Sequence, residues 1–250
     1  MTTEQKLTDA GQDAIHFFLQ GKGGVGKSTC ASTLSQYFET LKRKPLLRDT
    51  DPINQTLASY KALGAKHVEV MTSDNAIDTR RFDGLVEEVV AFEGPVVVDN
   101  GASTFVPLTG YMVENGVIDV LQGMGKKVYI HSVITGGQAM EETIKGLNTM
   151  LKVQACPIVV WENEFFGLVQ KDGKSFRESA LYKENKGRIK GVITVEKRNA
   201  DTFGKDVELM MNEKLTYEEA LNSDAFGLMA RQRLKLVRTA LFEQLDALEL

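Results

Sequence analysis

The chain reads as an α/β fold of three layers, a mostly parallel, twisted sheet flanked by helices. Three observations predict it. Short apolar runs alternate with amphipathic stretches at helical spacing almost to the end of the chain. The stretches between the runs are long enough for right-handed crossovers, which make neighbouring strands parallel. The residues able to do chemistry fall where apolar runs end, and that is where such a sheet opens its ligand crevice.

Each element follows from its own residues. Ile15-His16-Phe17-Phe18-Leu19 is a short buried strand, and Ala31, Leu34, Phe38 and Leu41 then recur at helical spacing. Pro45-Leu46-Leu47 leads into Asp49-Thr50-Asp51-Pro52, followed by a loop and a short helix over residues 55–63. Residues 67–71 make a brief strand. Residues 79–92 make a helix with Phe82, Leu85, Val86 and Val89 on one side, broken by Gly94-Pro95. Val96-Val97-Val98 is a buried strand ending on Asp99, and residues 107–121 hold a helix. Residues 128–135 are the next strand, closed by Gly136-Gly137 and followed by a helix over 138–151. Residues 156–161 are another strand, running out through Glu162-Asn163 into an irregular loop over 164–173. Residues 175–185 are helical and 189–195 form the last strand. Three helices finish the chain over 200–212, 216–221 and 225–248, the second opened by the capping box Thr216-x-x-Glu219.

A chain of 250 residues fits one such domain, here residues 14–250 with a C-terminal helical segment, and residues 1–13 read as a polar, flexible arm. A net charge of −4 argues against a strongly basic nucleic-acid binder. Cys30 and Cys156 are unrelated in spacing and read as reduced, apolar-packing thiols. No secretory signal and no apolar run of about 18 residues occurs, so no transmembrane segment and a cytoplasmic location are expected. The three histidines, His16, His67 and His131, are scattered and suit core or edge positions better than metal binding.

The chemistry centres on Gly21-Lys22-Gly23-Gly24-Val25-Gly26-Lys27-Ser28, which fits the phosphate-loop pattern G-x-x-x-x-G-K-[S/T] at every fixed position. A loop that wraps a triphosphate must bring successive backbone N–H groups close to it, and only glycine permits that approach at positive φ. Lys27 adds charge for the β- and γ-phosphates, the Ser28 hydroxyl can ligate Mg²⁺, and the helix that follows, entered through Thr29, adds its dipole. The sheet is therefore that of a P-loop NTPase. Such a loop needs a second carboxylate for Mg²⁺ at a strand end, and Val98-Asp99 supplies it. Asp49 and Asp51 stand two residues apart at another strand end. Asp51 is the candidate for orienting an attacking water and Asp49 a partner of the Mg²⁺ waters; the same residues also read as a polar turn.

Lys22, the extra lysine after the first glycine, makes the loop resemble the deviant Walker A loop of the ParA/MinD ATPases. Asp49-Thr50-Asp51-Pro52 is similar to their first switch and Val98-Asp99 to their Walker B strand. Asn163 after a strand is similar to their adenine-reading asparagine, and Glu196-Lys197-Arg198-Asn199 to their base-pocket loop. The segments 99–108, 133–139, 173–176 and 231–238 further resemble those of a conjugal-transfer family of mobilisable plasmids. The resemblance implies that two subunits sandwich two ATP molecules, with Lys22 of one reaching the phosphates of the other. It implies a slow, dimerisation-dependent, Mg²⁺-requiring ATP hydrolase that serves plasmid conjugal transfer. Other transfer proteins are then the implied partners.

Two features depart from the family. Asn100-Gly101 stands where partitioning members carry a proline, and Arg48 sits where the strand should be apolar, either paired with a carboxylate or ending the strand early. The last helix carries Leu234, Val237, Leu241, Leu245 and Leu248 on one stripe, which suits packing on the body or on a partner. Its first half is basic, and phosphate contact with DNA is the weaker reading of that half. Trp161, Phe165 and Phe166 read as core plus one exposed ring. The alternatives in function are a plasmid partitioning or positioning ATPase, a small-molecule ligase or kinase on the same loop, and a nucleotide sensor without hydrolysis.

Overall fold

A computed structural model of the chain describes residues 14–250; the expected arm, residues 1–13, lies outside the described residues. Seven strands form one fully parallel sheet. In chain order they are β1 (Ala14–Phe18), β2 (Leu46–Asp49), β3 (Lys66–His67), β4 (Val96–Asp99), β5 (Lys127–Thr135), β6 (Ile158–Asn163) and, after a small hairpin, β9 (Ile189–Val195). Their order across the sheet is β3-β2-β4-β1-β5-β6-β9. β1 is central, with β4 on one side and β5 on the other. The chain runs outward to β2 and β3, returns through β4, and then builds the other half, so the reversal falls beside the C-terminal end of β1. In doubly wound sheets that is where ligands bind.

The two faces bury different side chains because residues alternate along each strand. Ile15, Phe17, Val96 and Val98 face α2 (Arg81–Ala91), α3 (Phe105–Glu114), α4 (Val117–Gly123) and α5 (Met140–Val153), which bring Phe82, Leu108, Leu121 and Leu147 to one core. Phe18, Val97 and Trp161 face α1 (Lys27–Thr40) and α9 (Leu228–Asp246), which bring Leu34, Phe38, Leu241 and Leu245 to the other. Phe18, Phe38 and Trp161 are fully buried, and each such side chain contributes roughly 2–3 kcal/mol by leaving water. A third, smaller cluster of Met210, Tyr217, Phe226 and Leu234 joins α7 (Lys205–Asn212) and α8 (Tyr217–Asn222) to α9. The α9 stripe therefore packs on the body of the same chain. Three arginines of its basic half are engaged by Asp224, Asp206 and Glu218. No described helix is long and apolar enough to cross a membrane.

Several boundaries differ from the sequence reading. Residues 55–63 hold only turns and one 3-10 turn, Lys61–Leu63, because Asp49 and Asp51 take the free backbone N–H groups of residues 51, 53, 54 and 58 and shape a loop. The helix expected over 107–121 is two, broken at Asn115-Gly116, where Gly116 has a φ of 58°. The loop over 164–173 contains a hairpin of β7 (Gln170–Lys171) and β8 (Lys174–Ser175). After it comes a single helical turn and the short α6 (Ala180–Glu184). The capping box at Thr216 and Glu219 is present, with the Thr216 hydroxyl accepting the Glu219 N–H at 3.2 Å.

Arg48 resolves as the paired alternative. Strand alternation sends it towards α2, where its guanidinium binds the Glu88 carboxylate through two N–H groups and donates to the Leu47 carbonyl at 2.7 Å. Its side chain is 7% exposed and that of Glu88 44% exposed. Glu88→Ala would strand a buried cation. Water reaches the Glu88 side, so the loss falls below the roughly 3–5 kcal/mol of a fully buried pair, at about 2 kcal/mol. Urea unfolding of Glu88→Ala should read that loss, and Arg48→Met combined with Glu88→Leu should recover part of it.

Candidate functional site

The glycine loop leaves β1 and enters α1, as its neighbours in sequence require. Gly24 and Gly26 take φ values of 72° and 95°, open to glycine at little cost. Gly26 also touches the end of β6: a Cβ there would lie 2.7 Å from Asn163 Nδ2. No side chain caps α1, so its first N–H groups and the helix dipole are free to receive an anion. Lys27 is buried and its ammonium donates to the Lys22 carbonyl at 3.1 Å, closing the loop on itself. Burial holds the Lys27 pKa below its ordinary value, while Asp99 and Asp51 act the other way.

A cleft of about 550 Å³ opens along this loop. Gly23, Gly24, Gly26, Lys27, Ser28 and Thr29 form one wall; Asp51, Ile53, Asn54 and Thr56 form another; Asn100, Ala102, Ser103 and Met211 complete it. The register of the sheet sets Asp49 beside Asp99 at the ends of β2 and β4. Asp99 is buried, accepts the Ser28 hydroxyl, and has its Oδ1 without a hydrogen-bond partner. Burial, then the neighbouring Asp49, pushes its carboxyl up to about 7, against the Ser28 hydrogen bond and Lys27. Such a carboxylate is short of positive charge. That suits a divalent cation held by Ser28, Asp99, phosphate oxygens and water, the usual ligand set for Mg²⁺. Among the described residues no cluster of three or more His, Cys, Asp or Glu side chains could hold a metal alone.

The other expected residues take distinct positions. Both oxygens of Asp49 are engaged by backbone, accepting the N–H of Asp51 at 2.9 Å and of Ala58 at 3.0 Å. Burial raises its pKa and these bonds work against the rise. Asp51 lines the cleft; its Oδ1 accepts Ile53 and Asn54 N–H groups at 2.9 and 3.1 Å, and its Oδ2 takes only the Asn54 amide, at 3.3 Å. Asn163 lies behind the loop, donating to the Val25 carbonyl at 2.9 Å and accepting the Phe165 N–H at 3.2 Å. Val25 is buried, and Gly21 is exposed with Phe105 against it. Glu196 follows β9, whose Val195 pairs with Asn163, and bonds Arg198 at 3.0 Å. Lys22 is outside the cleft: its ammonium meets Glu142 of α5 at 2.6 Å, beside a smaller hollow lined by Gln20, Phe105 and Lys145. Phe165 and Phe166 are both exposed, at 63% and 51%, so two rings face solvent where one was expected; Trp161 is fully buried. Ile53, Asn54, Thr56 and Met211 join the cleft with no motif to announce them, whereas Ser103 lies in the segment 99–108. Among the former, only the neighbours of Asp51 in sequence were findable, as the loop a strand-end Asp must lead.

The comparisons fit this geometry. Residues 17–222 match the model of the CobQ/CobB/MinD/ParA nucleotide binding domain. The chain belongs to that nucleotide-binding family. Within it, two Escherichia coli proteins, each named Protein TraL, are 44% identical to the chain over 234 and 236 residues, covering 93% of it and 97% of each relative. The closer resemblance read from the segments 99–108, 133–139, 173–176 and 231–238, which is to TraL, is therefore borne out. Two solved structures share the fold at 17% identity. A chain of the MinC:MinD cell division protein complex of Aquifex aeolicus matches with a TM-score of 0.52, over 94% of this chain and 96% of that one. The cell division ATPase MinD of Pyrococcus furiosus matches with a TM-score of 0.50, over 94% and 99%.

Proposed function

We propose that the chain is a Mg²⁺-dependent ATPase that works as an ATP-gated dimer in plasmid conjugal transfer, in the cytoplasm. The observation that carries the reading is the unpartnered Asp99 Oδ1 beside Ser28, at the mouth of an uncapped α1 and its glycine loop. A triphosphate on the loop would displace Lys27 from the Lys22 carbonyl and take its charge. Ser28 and Asp99 would hold Mg²⁺, which when bound neutralises charge on the β- and γ-phosphate oxygens. Asp49 keeps the loop after β2 in shape and would stand near waters of a bound Mg²⁺, and Asp51, through its less engaged Oδ2, would accept a hydrogen bond from the attacking water. The Asn163 amide has two N–H groups and Val25 takes one; the other, with Glu196 one residue past the β9 partner of Asn163, reads adenine. Lys22 of one copy reaches the phosphates of the second, which ties hydrolysis to dimerisation and makes a timer.

Relatives named TraL support the transfer role, with other transfer proteins as partners. A role on nucleic acid itself would favour a free cationic face, and three arginines of α9 are held in ion pairs. The test is ATP turnover together with sedimentation in Mg²⁺-ATP and Mg²⁺-ADP. Turnover is expected to rise faster than linearly with protein concentration, with dimers in ATP and single chains in ADP. A chain that stays single in saturating ATP and Mg²⁺ would sink the sandwich mechanism.

A further inference from the structure

Asn100 follows Asp99 and precedes a glycine pressed on Asp51: a Cβ at Gly101 would lie 2.7 Å from the Asp51 carboxyl carbon. It lines the cleft, yet the residue is 1% exposed. Its amide orientation is fixed by its neighbours. Nδ2 donates to the hydroxyls of Thr104 at 2.7 Å and Thr50 at 3.5 Å. Both hydroxyl protons are directed elsewhere, Thr104 to the Gly101 carbonyl at 3.1 Å and Thr50 to the Asp99 carbonyl at 3.2 Å. Both hydroxyls can therefore only accept from the amide, and a flipped side chain would set oxygen against oxygen twice. Oδ1 is left as a buried acceptor with no donor.

We propose that Asn100 Oδ1 accepts a hydrogen bond from a water held at the terminal phosphate, making Asn100 the residue by which this chain tells ATP from ADP. The inference rests on the ATP reading above. Elimination identifies the donor. Phosphate oxygens and the Asp51 carboxylate only accept, and Asp99 only accepts once a bound cation keeps it ionised. No protein donor reaches Oδ1, the Thr56 and Ser103 hydroxyls and the Asn54 amide of the same cleft included, while Lys27, Ser28 and the loop N–H groups are claimed by phosphate and cation. Water is the donor that remains at this end of the cleft. With ADP no terminal phosphate anchors that water, so the bond to this buried acceptor is weakened, which penalises that state. The amide also links both sides of the cleft. Thr50 precedes Asp51, and Thr104 precedes α3, so engagement of Oδ1 reports on the loop after β2 and on α3 together.

The test is calorimetric binding of ADP and of a non-hydrolysable ATP analogue, each with Mg²⁺, to the full chain, with thermal melting as the check on folding. In Asn100→Ala the preference for the analogue over ADP should fall by about tenfold, through loss of analogue affinity at unchanged ADP affinity. Thr104→Val removes an acceptor of Nδ2 and leaves Oδ1, so it should keep the preference within about twofold. Should the alanine variant melt below the assay temperature, Asn100→Ser carries the same expectation, because its hydroxyl falls short of the Oδ1 position. Equal losses for ADP and analogue, no loss, or a Thr104→Val variant that loses the preference as fully would overturn the role. A wild-type chain that binds neither nucleotide overturns the ATP reading and this role with it; one that binds both, with the preference untouched in Asn100→Ala, overturns the role alone.

Discussion

Lys22→Ala is expected to lower ATP turnover by about a thousandfold while leaving the affinity of the single chain for ADP within about twofold. The Lys22 ammonium is outside the cleft and paired with Glu142 at 2.6 Å, with side chains 44% and 61% exposed. The cradle proposed for the nucleotide is loop backbone, Lys27 and the start of α1, and none of these depends on the Lys22 side chain. So removal should not disturb binding to one chain. An exposed ion pair is worth at most about 1 kcal/mol, so Glu142 parks Lys22 without locking it. A cation delivered across an interface to a transferring phosphoryl group is worth about 10³–10⁵ in rate for an arginine. Lysine is a point charge without the bidentate fork, which places its effect at the low end. Turnover measured across a range of protein concentrations, with ADP affinity measured in parallel, separates the cases. A rate unchanged by Lys22→Ala leaves Lys22 a solvated loop lysine, and a rate at background in both chains favours a nucleotide sensor that does not hydrolyse.

The parts of the site legible in the sequence are those whose backbone is dictated locally. The glycine loop needs positive φ at Gly24 and Gly26, and glycine is what supplies it. Asp99 ends an apolar run and so had to lie at the C-terminal edge of the sheet. The strands were legible because alternation and crossover length fix a parallel sheet, though its order came only from the structure. Apart from one hairpin, what escaped reading was set by contacts between distant residues. The hairpin at β7–β8 is an instructive miss, since Asp172-Gly173, with φ values of 51° and 74°, carries a two-residue hairpin signal. Flanking strands of two residues each were too short to show alternation. Met211 reaches the cleft from α7 by tertiary packing alone. The family resemblance makes Asn163 a base contact. Its bond to the Val25 carbonyl, which ties β6 to the glycine loop, needed coordinates. Arg48 broke the apolar rule of its strand, and Glu88, forty residues later, is the reason.

A second large effect lies away from the cleft, in the histidines read as core residues. Both are fully buried, and His16 Nδ1 meets His131 Nε2 at 2.9 Å while Trp161 Nε1 meets His131 Nδ1 at 2.9 Å. An indole only donates, so His131 Nδ1 accepts and its proton sits on Nε2; that proton goes to His16 Nδ1, and His16 carries its own on Nε2. The chain of donors works only with both rings neutral. A further proton on His131 Nδ1 would face the indole N–H, and burial lowers the pKa of both rings well below the ordinary 6.5. The sign follows. The unfolded chain binds protons below pH 6.5 that the folded chain refuses, so this stability is complete above 6.5 and is lost as pH falls below it. Each ring costs about 1.4 kcal/mol per pH unit in that range, or about 5 kcal/mol for the pair between pH 7 and 4.5. Asp99 works in the opposite direction, because its raised carboxyl takes up a proton in the folded state first. Comparison with a variant that keeps Asp99 removes that contribution. His16→Phe with His131→Gln retains an acceptor for Trp161 and abolishes both titrations. The stability of the wild type minus that of the variant, from urea unfolding at each pH, should fall by about 5 kcal/mol across this range. A difference that stays constant with pH would mean that the folded chain accepts protons on this pair, and that the buried neutral rings are not what resists acid.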